Sequence, residues 1–193
     1  FGVPFAAAPA RFEDAAAPTA WAGTRDASRP AAKCAQGAAG EGSEDCLYLN
    51  AWSSMVPGRP VMFYVHGGGF VGGSATTVAA NLTRATGSVV FAPQYRLGVF
   101  GFFDVASAGE PRNPGLGDQL AALRWVGANA AAFGGDATRV MIFGCSAGGA
   151  SVAHLLVAEE AVGLFRAAAL ESPGGHQGWM ADGARSDDDF VDP

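Results

Sequence analysis

A serine stands between two glycines in Gly144-Cys145-Ser146-Ala147-Gly148, directly after the apolar run Val140-Met141-Ile142-Phe143. The small-residue segment 150–157 that follows suits a helix. Strand, sharp turn and helix with a serine at the apex is the sequence form of a nucleophile elbow, G-x-S-x-G. Glycine on either side permits a turn that a β-carbon would obstruct. Such a turn lifts the Ser146 hydroxyl off the sheet. The helix that starts there points free N–H groups and its positive dipole end at the site. The competing reading is a serine in a tight turn with no chemistry, and the strand before and helix after weigh against it.

A second chemical element is His66-Gly67-Gly68-Gly69-Phe70, which follows the apolar run 61–66. Acyl transfer passes through a tetrahedral intermediate whose oxyanion needs preorganised N–H donors. Glycines let a backbone that carries such donors come close to substrate. Phosphate cradling fits less well, because the loop has no Walker lysine and does not follow G-x-G-x-x-G. An HGGG loop with an elbow about 80 residues later is a specific pair for acyl transfer.

These residues need elements to position them. Residues 46–53 alternate as a strand does. The continuous apolar run 61–66 suits a strand buried on both faces, and 88–93 reads as a second buried strand. A helix is predicted over 75–86, with Thr76 or Thr77 near its start. Residues 94–103 form a turn-rich aromatic stretch. A helix over 117–131 carries Leu120, Leu123, Val126 and Ala130 at helical spacing and stops at Gly134-Gly135. Strands follow at 139–143 and 166–172. This alternation predicts an α/β fold with a mostly parallel sheet and helices on both faces. Residues 1–40 are rich in Pro and Ala and read as an irregular arm, anchored by the aromatic surface of Phe12 and Trp21.

With 193 residues, 49% hydrophobic and 16% charged, the chain can bury the core of one globular domain. The net charge of −6, with no Lys/Arg cluster, argues against a nucleic-acid partner. No apolar run approaches the roughly 18–20 residues of a membrane helix. Neither a metal site nor a cofactor is expected. Cys34 and Cys46 bracket a Gly/Ala-rich segment, where a bridge would stabilise the chain by roughly 2–3 kcal/mol. Spacing alone leaves a bridge and two separate thiols both open. The chain opens on Phe1 and closes on an acidic run, so both ends read as cuts, and no signal peptide is visible.

Taken together, these residues resemble the type-B carboxylesterases, the carboxylesterase/cholinesterase group of α/β-hydrolases. The resemblance is carried by Gly2-Val-Pro-Phe-Ala6, Arg11-Phe12, Ser43-Glu-Asp-Cys-Leu-Tyr-Leu-Asn50, the HGGG loop, Tyr95-Arg-Leu-Gly-Val-Phe-Gly-Phe102, Gly115-Leu116 with Asp118-Gln119, Ala122-Leu-Arg-Trp-Val126, Ala132-Phe-Gly-Gly-Asp136 and the elbow. It implies an α/β-hydrolase fold with a mostly parallel central sheet and flanking helices, cut after the strand that follows the elbow helix. Residues 1–193 would then be the N-terminal portion of one such domain, with an arm (1–45), sheet and helices (46–172) and a polar tail (173–193). By position, Ser146 matches the acylated nucleophile, and Gly68, Gly69 and Ala147 match the oxyanion-hole donors. Cys34 and Cys46 match a family disulfide, which implies secretion or the endoplasmic reticulum lumen. Arg11 and Glu44 match an ion pair, and Asp118 reads as a helix-start residue rather than a catalytic acid. The implied substrate is a small carboxylic ester.

Two departures bear on the chemistry. Cys145 stands where the family has Glu; it is expected as a buried, unpaired thiol, since the elbow presents the next residue. The family's acid and histidine lie downstream of residue 193. Of the histidines present, His66 reads as a structural ring in its loop. His154 lies about 12 Å along the helix from Ser146, and His176 is the one stand-in base. Without a base the serine hydroxyl stays protonated. The expectation is a serine ester hydrolase piece that holds the nucleophile and oxyanion cradle but not the base and acid. Its last strand would be an open edge with poor solubility. The alternative is a non-catalytic binding or adhesion-type relative on the same fold.

Overall fold

The structure is a computed structural model that describes residues 1–37, 40–75, 79–103 and 113–173. Its centre is set by two adjacent strands, β3 (Arg59–Val65) and β5 (Gly135–Cys145). They run parallel, with Phe63 beside Ile142, Tyr64 beside Phe143 and Val65 beside Gly144. Around them form β1 (Val3–Pro4), β2 (Tyr48–Trp52), β4 (Val89–Pro93) and β6 (Ala167–Glu171), in the order β1-β2-β4-β3-β5-β6. The pairings of β3 with β4, β3 with β5 and β5 with β6 are parallel. Those of β2 with β4 and β1 with β2 are antiparallel.

Each parallel step needs a crossover, which a helix supplies. Helix α1 (Ala79–Thr86) joins β3 to β4. After β4 come the short α2 (Gly98–Phe102) and the long α3 (Pro114–Asn129). Helix α4 (Ala147–Val157) joins β5 to β6. The α/β architecture with flanking helices is therefore present, on a mixed sheet. Ala122, Leu123 and Val126 of α3 share one buried cluster with Val61, Phe63, Val65, Val140 and Ile142 of the sheet and Val152 and Leu155 of α4. Gln119 of α3 donates to Ser151 Oγ of α4 at 3.0 Å, a buried bond that fixes the two helices relative to each other.

Several sequence expectations need correction. β4 is buried along its whole length, but β3 alternates: Val61, Phe63 and Val65 are buried while Met62 and Tyr64 are half-buried. The long helix starts earlier than 117, because Asn113 caps it, accepting from the Leu116 N–H at 3.2 Å, and Pro114 opens its first turn. It passes into a 3-10 turn at Ala130–Phe133 that ends on Gly134. β5 covers 135–145 rather than 139–143. The arm is irregular except for β1, and Phe5 anchors it with 2% exposure, whereas Trp21 remains 47% exposed with Arg25 over its ring. Phe12 is half-buried. The positions of Thr76 and Thr77 lie outside the described residues.

Asp118 is not a capping residue. It is fully buried on α3 and pairs with Arg96, whose Nε and Nη2 reach its carboxylate at 2.8 and 2.6 Å while the Arg96 backbone N–H adds a third bond at 3.0 Å. Burial pushes the Asp118 carboxyl up, against the Arg96 bonds that pull it down. Arg96 also donates to the Glu13 carbonyl at 2.7 Å, so the same guanidinium ties the arm to the core. The Arg11–Glu44 pair forms as expected, bidentate and exposed.

Candidate active site

Ser146 sits where β5 ends and α4 begins, exposed, with φ +56° and ψ −124°. A non-glycine residue rarely occupies that region, so the turn stores strain at the serine. Surrounding packing holds it there. A Cβ on Gly148 would meet the Val65 carbonyl oxygen at 2.1 Å, so only glycine lets the first turn of α4 press against β3. The Ser146 N–H donates to the Glu171 carbonyl at the end of β6, at 2.9 Å, and the Ser146 carbonyl accepts from Ala150 at 3.0 Å. Ala147 is the first residue of α4, so its N–H has no partner within the helix.

The glycine loop lies against this turn. A Cβ on Gly67 would come within 2.5 Å of the Cys145 carbonyl oxygen and 3.1 Å of Ser146 Cβ. The loop backbone thus passes in direct contact with the serine. The Gly68 carbonyl accepts from Val71 at 3.1 Å and Gly72 at 3.0 Å. In a trans peptide the N–H points opposite to the C=O. Holding that carbonyl inside the loop therefore turns the Gly69 N–H away from it. At the far end, the Phe70 carbonyl accepts from the Gly98 N–H at 2.7 Å, which ties the loop to the start of α2. Phe70, Phe102 and the exposed Val71, Val99 and Phe103 line an apolar depression beside Gly69.

His66 is buried under the loop. Its ring stacks on Tyr95 at 4.3 Å, its Nδ1 lies 2.9 Å from the Gly67 carbonyl, and its own carbonyl accepts from the Tyr95 hydroxyl at 2.6 Å. Burial pushes its pKa down to about 4, so the ring is neutral near pH 7. His154 is half-buried in α4, and among the described residues neither histidine hydrogen-bonds to Ser146. His176 lies outside the described residues. Cys145 is a free thiol, half-buried rather than fully buried as expected, beside Glu171 in the β5–β6 register. Cys34 and Cys46 are joined in a disulfide. Among the described residues no cluster of His, Cys, Asp and Glu could hold a metal ion.

The sequence pattern did not single out the groups that brace the loop. Tyr95 was part of an aromatic stretch, and the family-like run around it was the only signal. Gln36 had no signal at all: its contacts with Gly73 span residues 37 apart.

The model of the Carboxylesterase family matches residues 1–188. Human Carboxylesterase 3 is 41% identical over 89% of this chain, and Fumonisin B1 esterase of Sphingopyxis macrogoltabida is 42% identical over 90%. The chain spans 34% and 36% of those two proteins, about a third of their length. Among solved structures, the Geobacillus stearothermophilus carboxylesterase EST55 superposes with a TM-score of 0.82 at 43% identity, covering 86% of this chain and 38% of that one.

Proposed function

The chain belongs to the carboxylesterase family, and we propose that it carries the acyl-transfer part of a serine ester hydrolase. Ser146 Oγ attacks the carbonyl carbon of a small carboxylic ester. The N–H groups of Gly68, Gly69 and Ala147 take the negative charge that develops on the carbonyl oxygen. A base takes the Ser146 proton and passes it to the departing alkoxide, which leaves as the alcohol, and water then releases the acid from the acyl-serine. The observation that carries this reading is the contact between the two motifs, with Gly67 against Cys145 and Ser146 at the strained elbow. Strain of this kind is a cost that packing must offset, and a serine held in it is presented rather than merely accommodated.

Activating Ser146 needs a base. Neither His66, buried and neutral, nor His154 bonds to it, so the reading places that function outside residues 1–173. Residues 1–193 would then be one portion of a single hydrolase domain, and turnover by this chain alone is expected to be slight. The disulfide supports an oxidising compartment, secreted or in the endoplasmic reticulum lumen. Among the described residues no helix is long and apolar enough to cross a membrane.

An organophosphate reagent tests the reading in the full-length protein. Mass spectrometry should find one adduct, on Ser146. A folded protein that takes up no label there would sink the proposal. It would also favour the second reading, a non-catalytic binding relative, to which Cys145 beside the serine lends support.

A further inference from the structure

The disulfide between Cys34 and Cys46 closes a small ring of chain, and Gln36 lies inside that ring. Its side chain reaches out of the ring to the glycine loop. Gln36 Nε2 donates to the Gly73 carbonyl at 2.8 Å, and Gln36 Oε1 accepts from the Gly73 N–H at 2.8 Å. A primary amide that exchanges both bonds with one backbone residue imitates a strand partner and fixes that residue's orientation. A third bond, from Nε2 to the Cys34 carbonyl at 2.9 Å, holds the amide plane to the ring itself.

Gly73 is the residue on which the glycine loop closes. It has φ +116°, and a Cβ there would lie 2.2 Å from the Gly67 carbonyl oxygen and 2.6 Å from His66 Nδ1. Its neighbour Gly72 donates to the Gly68 carbonyl. A shift at Gly73 therefore passes directly to the peptides of Gly67 and Gly68. Residues 67–69 and 72–73 are all glycine and have no side chains of their own with which to hold the loop.

We propose that Gln36 is a positioning residue for the oxyanion-binding loop, and that the disulfide-anchored segment at Cys34 serves as the mount for its amide. The proposal rests on the esterase reading above. It assigns Gln36 no contact with substrate. It acts through Gly73 on the direction of the Gly68 and Gly69 N–H groups, which matters most when charge develops on the substrate oxygen.

The test compares Gln36→Ala with the wild-type full-length protein in two measurements, hydrolysis of a p-nitrophenyl ester and amide hydrogen exchange over residues 66–73. Lys33→Ala is the control, because Lys33 lies next to the same ring and its side chain bonds Glu41 rather than the loop. Gln36→Ala should lower kcat roughly 10- to 100-fold, the order expected for a small misplacement of catalytic groups. KM should stay within about two-fold, the mark of an interaction made in the transition state. Exchange should quicken at Gly73, which loses its acceptor, and at Val71 and Gly72, whose N–H groups bond the Gly68 carbonyl, and stay unchanged in β3 and β5, while Lys33→Ala matches wild type in both measurements. Gln36→Glu keeps an acceptor for the Gly73 N–H but sets a carboxylate oxygen against the Gly73 and Cys34 carbonyls, and should be impaired at least as much as Gln36→Ala in both measurements. Unchanged exchange in Gln36→Ala overturns the proposal. So does faster exchange with an unchanged kcat. If the wild-type protein takes no label and shows no turnover, the esterase reading fails, and exchange alone then decides whether Gln36 holds the loop.

Discussion

Ser146 is held from two sides. On one side lie β3, the glycine loop and α3, with Val61, Phe63, Val65, Leu123 and Val126 buried and the Arg96–Asp118 pair beneath them. On the other side lies β6, which carries Glu171, the acceptor of the Ser146 N–H. β6 is the last strand of the sheet among the described residues, and none of its side chains is fully buried. Leu170 is 38% exposed, and nearby Val162 is 82% exposed. The deep side fixes the serine through close backbone packing that tolerates no added atom. The edge side fixes it through the bond from the Ser146 N–H to Glu171 and through Gly149, where a Cβ would lie 3.0 Å from the Glu171 carbonyl oxygen, a looser fit than the 2.1 Å at Gly148.

The largest expected effect probes the serine between the two sides. Ser146→Gly should abolish organophosphate labelling and lower ester hydrolysis by roughly 10⁴-fold or more. It should also raise stability by about 1 kcal/mol, because glycine relieves the strain at φ +56°. A loss of stability in urea denaturation would show that the deep side does not impose the strain.

Next comes the deep side itself. Asp118→Ala leaves the Arg96 charge buried without its partner and should cost about 3–5 kcal/mol, read from the denaturation midpoint. The exposed pair offers the contrast: Arg11→Ala should leave the midpoint unchanged within error.

pH gives a third and smaller measure of the deep side. The pKa of His66 falls from 6.5 to about 4 on folding, so between those values the unfolded chain binds more protons than the folded one. Stability is therefore fully present above pH 6.5 and lost as pH falls toward 4, by about 3 kcal/mol at most. His66→Gln should flatten that part of the stability profile. A profile unchanged by the substitution would mean that His66 does not titrate as a buried ring.

The smallest stability effect belongs to the edge. In residues 1–193 taken alone, where Leu170 is 38% exposed, Leu170→Lys should change the denaturation midpoint by less than about 0.5 kcal/mol and should improve solubility, since a charge blunts a strand edge. A loss comparable to that of Asp118→Ala would make β6 as firmly built in as the centre.

Much of this was legible in the chain. The apolar runs before Gly67 and Gly144 became β3 and β5, and the small residues after Ser146 became α4, because the patterns themselves are local, although only the helix also bonds locally while the two strands pair across the chain. Boundaries were less legible. The helix expected from 117 starts at Pro114, and the strand expected from 139 starts at Gly135. Its start depends on pairing with Arg59 of β3, which no window of sequence contains. Trp21 misled because aromatic surface alone does not say what lies opposite it; Phe5 is buried in the core, whereas Trp21 stays 47% exposed with Arg25 over its ring.

The sequence by itself determined that a serine stands at a strand-to-helix turn and that a glycine loop follows another strand. Those are properties of residue order, and glycine spacing is enough to read them. Only the tertiary structure decided that the two motifs touch and that Asp118 belongs to Arg96 rather than to a helix end. Only it decided that Gln36 grips Gly73 and that the serine's other support is the Glu171 carbonyl at the end of β6. Each of these depends on which distant backbone fills the space beside a residue, and that is settled by packing the sheet and not by any stretch of the chain alone.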